Sequence, residues 1–264
     1  MLDYTWLKDT LVSIAKDYIY PYSTLTDSSI STSEYSTIQQ EFYPFSTTIS
    51  DIEVYVKEVN GSPDKVTMSV LRDSSVISEN IVSLNVGWNT ISINKDNIVT
   101  KKKHTLQITV SSNTVDYYVF GTSTNSPFYW NLIADNNTLN SKLSFKIDID
   151  DFIFKTYPGR ELKLREYPVI VCDLTARPRI NQPYLDVKVL EEILTVTFTI
   201  YSRYPDEIDI LAKLLERGMF KKRRGITDIY IISPGPLSPI VRYRENVLSR
   251  AISFNIRMFV KDTE

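Results

Sequence analysis

From about residue 38 to residue 149 the chain is a succession of short alternating segments with no helical spacing between them, and this constrains the fold most. Ile52-Glu53-Val54-Tyr55-Val56 and Val66-Thr67-Met68-Ser69-Val70-Leu71 place apolar side chains at every second position. Segments at 77–84, 88–93, 105–110, 115–120, 128–133 and 143–149 complete the series. The breaks carry turn residues: Asn60-Gly61-Ser62-Pro63-Asp64, Lys95-Asp96-Asn97, Ser111-Ser112-Asn113, Asn125-Ser126-Pro127 and Asp135-Asn136-Asn137. A period of two means one face inward and one outward, and eight such strands separated by tight turns bury their inner faces best as two stacked sheets. The 17 tyrosines fit this, because aromatic and branched side chains suit a pleated, half-buried surface.

The flanking sequence has another texture. Leu7, Leu11, Ile14, Ala15 and Tyr18 recur at helical spacing, opposite Lys8, Asp9, Lys16 and Asp17, so a helix is expected over 4–18, stopped by Pro21. Residues 23–37 are rich in Ser and Thr without apolar period and read as a linker. After Asp150, strands are expected at 169–173, 185–189 and 194–201, then a helix opened by Pro205-Asp206 and capped by Gly218, then strands at 228–232 and 252–260 separated by Pro234-Gly235-Pro236 and Pro239. A helix as short as 4–18 is marginal alone in water. Packing it on the sheet formed after residue 150 makes 1–22 and 150–264 one discontinuous α+β mixed-sheet domain, interrupted by an all-β sandwich at 38–149.

Composition narrows the chemistry. One cysteine, Cys172, and one histidine, His104, exclude a disulfide within this sequence and a four-ligand Cys/His zinc site. His104 follows Lys101-Lys102-Lys103 and reads as a surface residue at the start of a strand, and Cys172 in Val169-Ile170-Val171 as a buried, inert thiol. A net charge of −2 offers no global field for nucleic acid or an anionic membrane. No run is long enough to cross a bilayer as a helix. Met1-Leu2-Asp3-Tyr4-Thr5 lacks the positive start and apolar run of a secretory signal, so the chain is expected in a cytoplasm or in a particle. Asp148, Asp150 and Asp151 cluster, but without the loop that wraps calcium or a second catalytic signal. The expectation is a protein without cofactor, metal or catalytic residues.

Contact residues are a different matter. Lys221-Lys222-Arg223-Arg224 is the strongest local charge run, read as a subunit or ring contact in preference to a DNA-facing stripe, against a solvated loop as the plain alternative. Arg242, Arg244, Arg250 and Arg257 alternate with apolar positions, and the planar fork of Arg suits interfaces. Trp88, Tyr117, Tyr118, Tyr129 and Trp130 could stack on sugar rings. Adjacent residues of a strand face opposite ways, so one of each neighbouring pair points outward while the other fills the core.

The run Tyr167-Pro168-Val169-Ile170-Val171, the strand 194–201, Ser202-Arg203 and the helix beginning Glu207-Ile208-Asp209 together resemble the tail terminator and tail-completion proteins of long-tailed viruses. Val86-Gly87-Trp88-Asn89-Thr90-Ile91-Ser92-Ile93, with Phe128-Tyr129-Trp130 and Leu143-Ser144-Phe145-Lys146, resembles carbohydrate-binding jelly rolls. The first resemblance implies a structural virion protein, assembled in the host cytoplasm, that forms a homo-oligomeric (hexameric) ring at the head-proximal end of the tail. Such a ring would cap the tail tube protein and join the head-tail connector protein, with DNA only as passing cargo. The second implies an alternative: a baseplate or adhesion protein that binds host carbohydrate through Trp88, Tyr117, Tyr129 and Trp130.

Overall fold

A computed structural model describes residues 4–20, 23–45, 51–92, 102–111, 113–126, 130–147, 151–159, 162, 167–181, 189–224, 226 and 229–261. The protein is mostly β, and its described residues form two helices and three six-stranded sheets. Its chain divides into two compact units, one of Tyr20–Asp150 and one of Met1–Ile19 with Asp151–Glu264.

The Tyr20–Asp150 unit contains β1 (Ser28–Ser31), β2 (Thr37–Phe42), β3 (Asp51–Asn60), β4 (Val66–Arg72), β5 (Ser75–Val82), β6 (Gly87–Ser92), β7 (His104–Thr109), β8 (Tyr117–Ser123), β9 (Leu132–Ala134), β10 (Asn137–Leu139), β11 (Lys142–Leu143) and β12 (Phe145–Ile147). One sheet runs β1-β8-β3-β12, with β11 on β8 and β6 on β3; the other runs β10-β9-β2-β7-β4-β5. A single core draws on both: Val54, Val56, Phe120 and Phe145 from the first, Ile38, Phe42, Val66 and Leu132 from the second, all essentially inaccessible. Each such side chain contributes about 1.5–3 kcal/mol. Gln40 is the polar exception in this interior. Its Nε2 donates to the Asn131 carbonyl (3.0 Å) and its Oε1 accepts from the Leu143 N–H (3.0 Å), so one satisfied amide ties β2 to the opposing sheet at β11. Gly61, in the turn after β3, has φ +64, and a Cβ there would overlap Asp116 Oδ1, which accepts the Ser62 N–H at 2.8 Å.

Two expectations are corrected here. Residues 23–37 are not a linker: Ser28–Ser31 is a strand paired with β8, Ile30 and Thr32 are buried, and Thr32 Oγ1 accepts the Tyr118 N–H (2.9 Å). A short hydroxyl-rich strand with one apolar residue carries no period to read. Where eight strands are expected, the described residues form twelve, because β1, β2 and β10 join them and the last segment divides at Ser144 into β11 and β12.

The other unit contains α1 (Thr5–Ile19), β13 (Ile153–Phe154), β14 (Val169–Asn181), β15 (Val189–Ser202), α2 (Pro205–Lys221), β16 (Ile229–Leu237), β17 (Val241–Arg244) and β18 (Val247–Lys261). Its sheet is mixed: order β13-β14-β15-β18-β16 with β17 beside β18, and β13 alone parallel to its neighbour. Leu194, Val196, Phe198 and Ile200 of β15 and Ile252, Phe254, Ile256 and Met258 of β18 are buried on one face, with Leu7 and Leu11 of α1 and Ile208, Leu211 and Leu215 of α2. The register pairs Phe198 with Ile252 and Leu194 with Ile256, which aligns the two apolar rows. Strand β16 continues through Pro234-Gly235-Pro236, where the sequence suggests a break, and the expected strand at 185–189 falls almost wholly outside the described residues.

Pro205 takes the first turn of α2, followed by Asp206 and Glu207. The N-cap Tyr204 makes no capping hydrogen bond through its side chain. Instead its N–H donates to Ser202 Oγ (3.1 Å), which donates to the buried Glu207 carboxylate, so a serine two residues upstream relays the cap.

Candidate functional site

Strands β16 and β17 form one edge of the mixed sheet, both paired with β18. Four exposed large apolar or aromatic side chains lie along them: Tyr230, Leu237, Val241 and Tyr243. The basic run reaches the same edge. Helix α2 ends at Lys221, the Lys222 N–H bonds back to the Gly218 carbonyl (3.1 Å), and the chain turns so that the Arg223 carbonyl accepts the Ile232 N–H of β16 (3.2 Å). All of Lys221, Lys222, Arg223 and Arg224 are exposed, as are Arg242 and Arg244 on β17, the latter with its guanidinium 5.3 Å from the Tyr243 ring. Two basic groups far apart in sequence are thus brought to one edge.

That edge does not invite strand addition. Pro234 and Pro236 carry no N–H, and the Ile232 N–H is occupied by Arg223, so side chains rather than backbone present themselves. Arg257 stands elsewhere, opposite Ile193 and Ile231 on the face away from the buried rows, and is exposed. Arg250 has internal duties: its guanidinium pairs with Asp209 of α2 and its Nε donates to the Ser238 carbonyl (3.0 Å).

The face shared with Arg257 carries a ladder of uncharged polar side chains. Thr195 Oγ1 donates to Asn255 Oδ1 (3.1 Å), and the hydroxyls of Thr197 and Ser253 lie 2.9 Å apart. Toward β17 the ladder gives way to rings: Tyr201 sits 5.5 Å from Tyr157 and 4.7 Å from Tyr243, edge-on in both cases. Burial raises the hydroxyl pKa of Tyr157 and Tyr201, which keeps both protonated at neutral pH.

The possible glycan contacts do not assemble into a platform. Trp88 of β6 points away from the sandwich core, half-exposed, but Lys146 Nζ stands 3.9 Å over its ring and Tyr55 is 5.2 Å away. Lys146 is itself held by Glu53 (3.3 Å). Tyr118 fills the core and Tyr117 is half-buried, opposite Asn60, five positions along β3 from the Tyr55 that pairs with Trp88. Trp130 packs against the core and stacks on Tyr43 at 5.9 Å. Tyr129 lies outside the described residues, as do Asp148 and Asp150. Asp151 pairs with Lys16 (2.6 Å).

His104 is corrected outright. It is wholly buried on β7, with Nδ1 2.7 Å from the Lys102 carbonyl and its ring 5.8 Å from that of Phe42. Its parity with Leu106 and Ile108 is the signal that outweighs the three preceding lysines. Cys172 is buried, and burial pushes its thiol up to about 12. Among the described residues no group of three or more His, Cys, Asp or Glu side chains is placed to hold a metal ion. No helix among them is long and apolar enough to cross a membrane. No protein-family model matches the chain, and no curated protein matches it.

Proposed function

We propose that the chain is a non-catalytic structural protein of a viral tail, a terminator-like subunit of a homo-oligomeric ring. In this reading the discontinuous unit is an α+β mixed-sheet domain, and the Tyr20–Asp150 unit is a jelly-roll sandwich inserted into it. The observation that carries the reading is the division of labour on the mixed sheet. One face is sealed by two helices, the other carries a Thr/Ser/Asn ladder flanked by the exposed Arg257 and by the Tyr157 and Tyr201 rings, and one edge gathers exposed Tyr, Leu, Val and Arg side chains. A catalytic site would concentrate acids, bases or ligands in a cleft, whereas this composition is that of a contact surface. The ring would work by geometry. Head-to-tail contacts that close on themselves limit assembly to a fixed number of copies, and the closed ring offers one face to the tube and another to the connector.

The second reading, a baseplate or adhesion protein that binds host carbohydrate, draws on the outward Trp88 and Tyr55 of the sandwich. The Lys146 ammonium over the Trp88 ring weighs against stacking there. Light scattering on the purified protein across a concentration and salt series separates the two. A hexamer, or a monomer that forms rings when tail tubes are added, is expected. A stable monomer that ignores tubes and is retained on a glycan surface would overturn the ring reading in favour of the second.

A further inference from the structure

We infer that the β16–β17 edge and the turn after α2 form one docking surface for an acidic protein partner. The surface is continuous along the sheet. Arg223 is bonded to β16 at Ile232, opposite Ile256 of β18, and Arg242 lies opposite Leu248 of the same strand. Those two anchor points are separated along β18 by roughly 26 Å at an extended rise. Leu237, half-exposed, lies between them, and the exposed Tyr243 sits beside Arg242 under the Arg244 guanidinium. Cations therefore stand at both ends of an edge that exposes Leu237 on one face and Tyr243 on the other.

Three features select the occupant. The blunted β16 backbone excludes strand-to-strand pairing, so recognition rests on side chains. The mixture of Arg and Tyr with exposed Leu and Val is that of protein interfaces, where apolar anchors sit inside a charged rim, and not of a phosphate track, which has no use for the apolar groups. An isologous contact between two such edges would oppose Lys222, Arg223 and Arg242 to like charges, which is costly across an interface and disfavours two-fold pairing of this edge with itself. What remains is a partner surface that offers carboxylates around apolar groups. The inference rests on the reading of the chain as an assembly module and assigns that module its outward-docking face. Ring closure and docking are read by separate measurements.

The test uses the full chain, a fluorescent peptide alternating Glu with Leu and Tyr, and a random-sequence DNA duplex of matching charge. Fluorescence anisotropy should show salt-sensitive peptide binding. The exposed pairs Arg242→Glu with Arg244→Glu, and Lys222→Glu with Arg223→Glu, should each weaken it about tenfold or more. Leu237→Ser should weaken it by roughly threefold with little change in salt dependence. Circular dichroism verifies that each variant is folded, and Lys222→Ala with Arg242→Ala provides a milder pair of the same sign. The mass by light scattering should be the same for all variants, whether the wild type is a ring or a monomer. Peptide binding that ignores the charge reversals would overturn the inference, and so would tighter binding of the duplex than of the peptide. A reversal that changes the oligomeric mass would assign the edge to self-contact instead, and a wild type that binds no peptide would remove the surface altogether.

Discussion

The His104 imidazole is confined by one carbonyl and a wall of apolar side chains. Because the Lys102 oxygen 2.7 Å away can only accept, Nδ1 carries the hydrogen and the neutral ring leaves Nε2 as a bare acceptor, buried without a hydrogen-bond partner among the described residues. Protonation would place a cation there, so burial holds the pKa below the ordinary imidazole value; Arg72 adds in the same direction, while the Lys102 carbonyl and Asp73 oppose. The unfolded chain then takes up a proton that the folded chain refuses. His104 imposes no penalty above the ordinary value near 6.5, and stability is lost as the pH falls from there toward the depressed folded value, by no more than about 1.4 kcal/mol per pH unit. His104→Phe keeps an aromatic ring beside Phe42 and removes the proton. In urea melts at pH 7, 5.5 and 4.5, the wild type should lose stability relative to the variant as the pH drops. Parallel curves for the two proteins would mean that His104 does not couple folding to protons.

Helices α1 and α2 meet at a glycine. Gly218 is interior to α2, not its cap as the sequence suggests, and a Cβ on it would come within 3.0–3.3 Å of the Tyr18 side chain of α1. The helix runs on to Lys221 because a lone glycine costs only about 1 kcal/mol against alanine, and close approach to Tyr18 compensates. Gly218→Val should therefore destabilise the two-helix layer by about 1–3 kcal/mol, seen as a lower urea midpoint for loss of the helical signal; an unchanged midpoint would show that Tyr18 can step aside. Both helices were legible in the sequence because their apolar stripes repeat over several turns, and β4, β7 and the β15 segment Leu194–Tyr201 because their alternation is long. Strands β1, β13 and β17 were not, since two to four residues give no period and only the partner strand makes them strands. Strand β16 was hidden for another reason: at a sheet edge a proline nitrogen can face away from the ladder, so the strand runs on past Pro234 with only a register shift between Pro234 and Leu237. The basic edge was half legible. Both charge groups could be seen in the sequence, but only the hydrogen bond from Ile232 to Arg223 brings them to one place.

At the scale of the whole chain, the first and last parts of the sequence make one unit, and its internal bonds explain how it tolerates more than a hundred residues between them. Lys16 pairs with Asp151 at 2.6 Å, Asp9 pairs with Lys155, and Lys8 Nζ donates to the Lys155 carbonyl (3.3 Å), so α1 lies along the strand entering from residue 151. The two cut ends are thereby held close without help from the intervening residues. The Tyr20–Asp150 segment in turn closes its own core, from Ile30 to Ile147. A protein in which Ile19 is joined to Asp151 by a short Gly-Ser linker should therefore fold, because loop closure depends only weakly on loop length and the termini of the cut already adjoin. Residues 20–150 expressed alone should fold as well. Each should unfold cooperatively in urea, and together their two transitions should reproduce those of the full chain. Residues 151–264 without α1 are the control: with Leu7, Leu11 and Ile14 gone, the apolar layer loses part of its cover and the fragment should aggregate. A linked protein that also aggregates would show that the sandwich is required for the fold of its neighbour. If instead the linked protein folds and keeps the oligomeric mass of the full chain, assembly belongs to the mixed-sheet unit, and the sandwich is free to serve a separate contact.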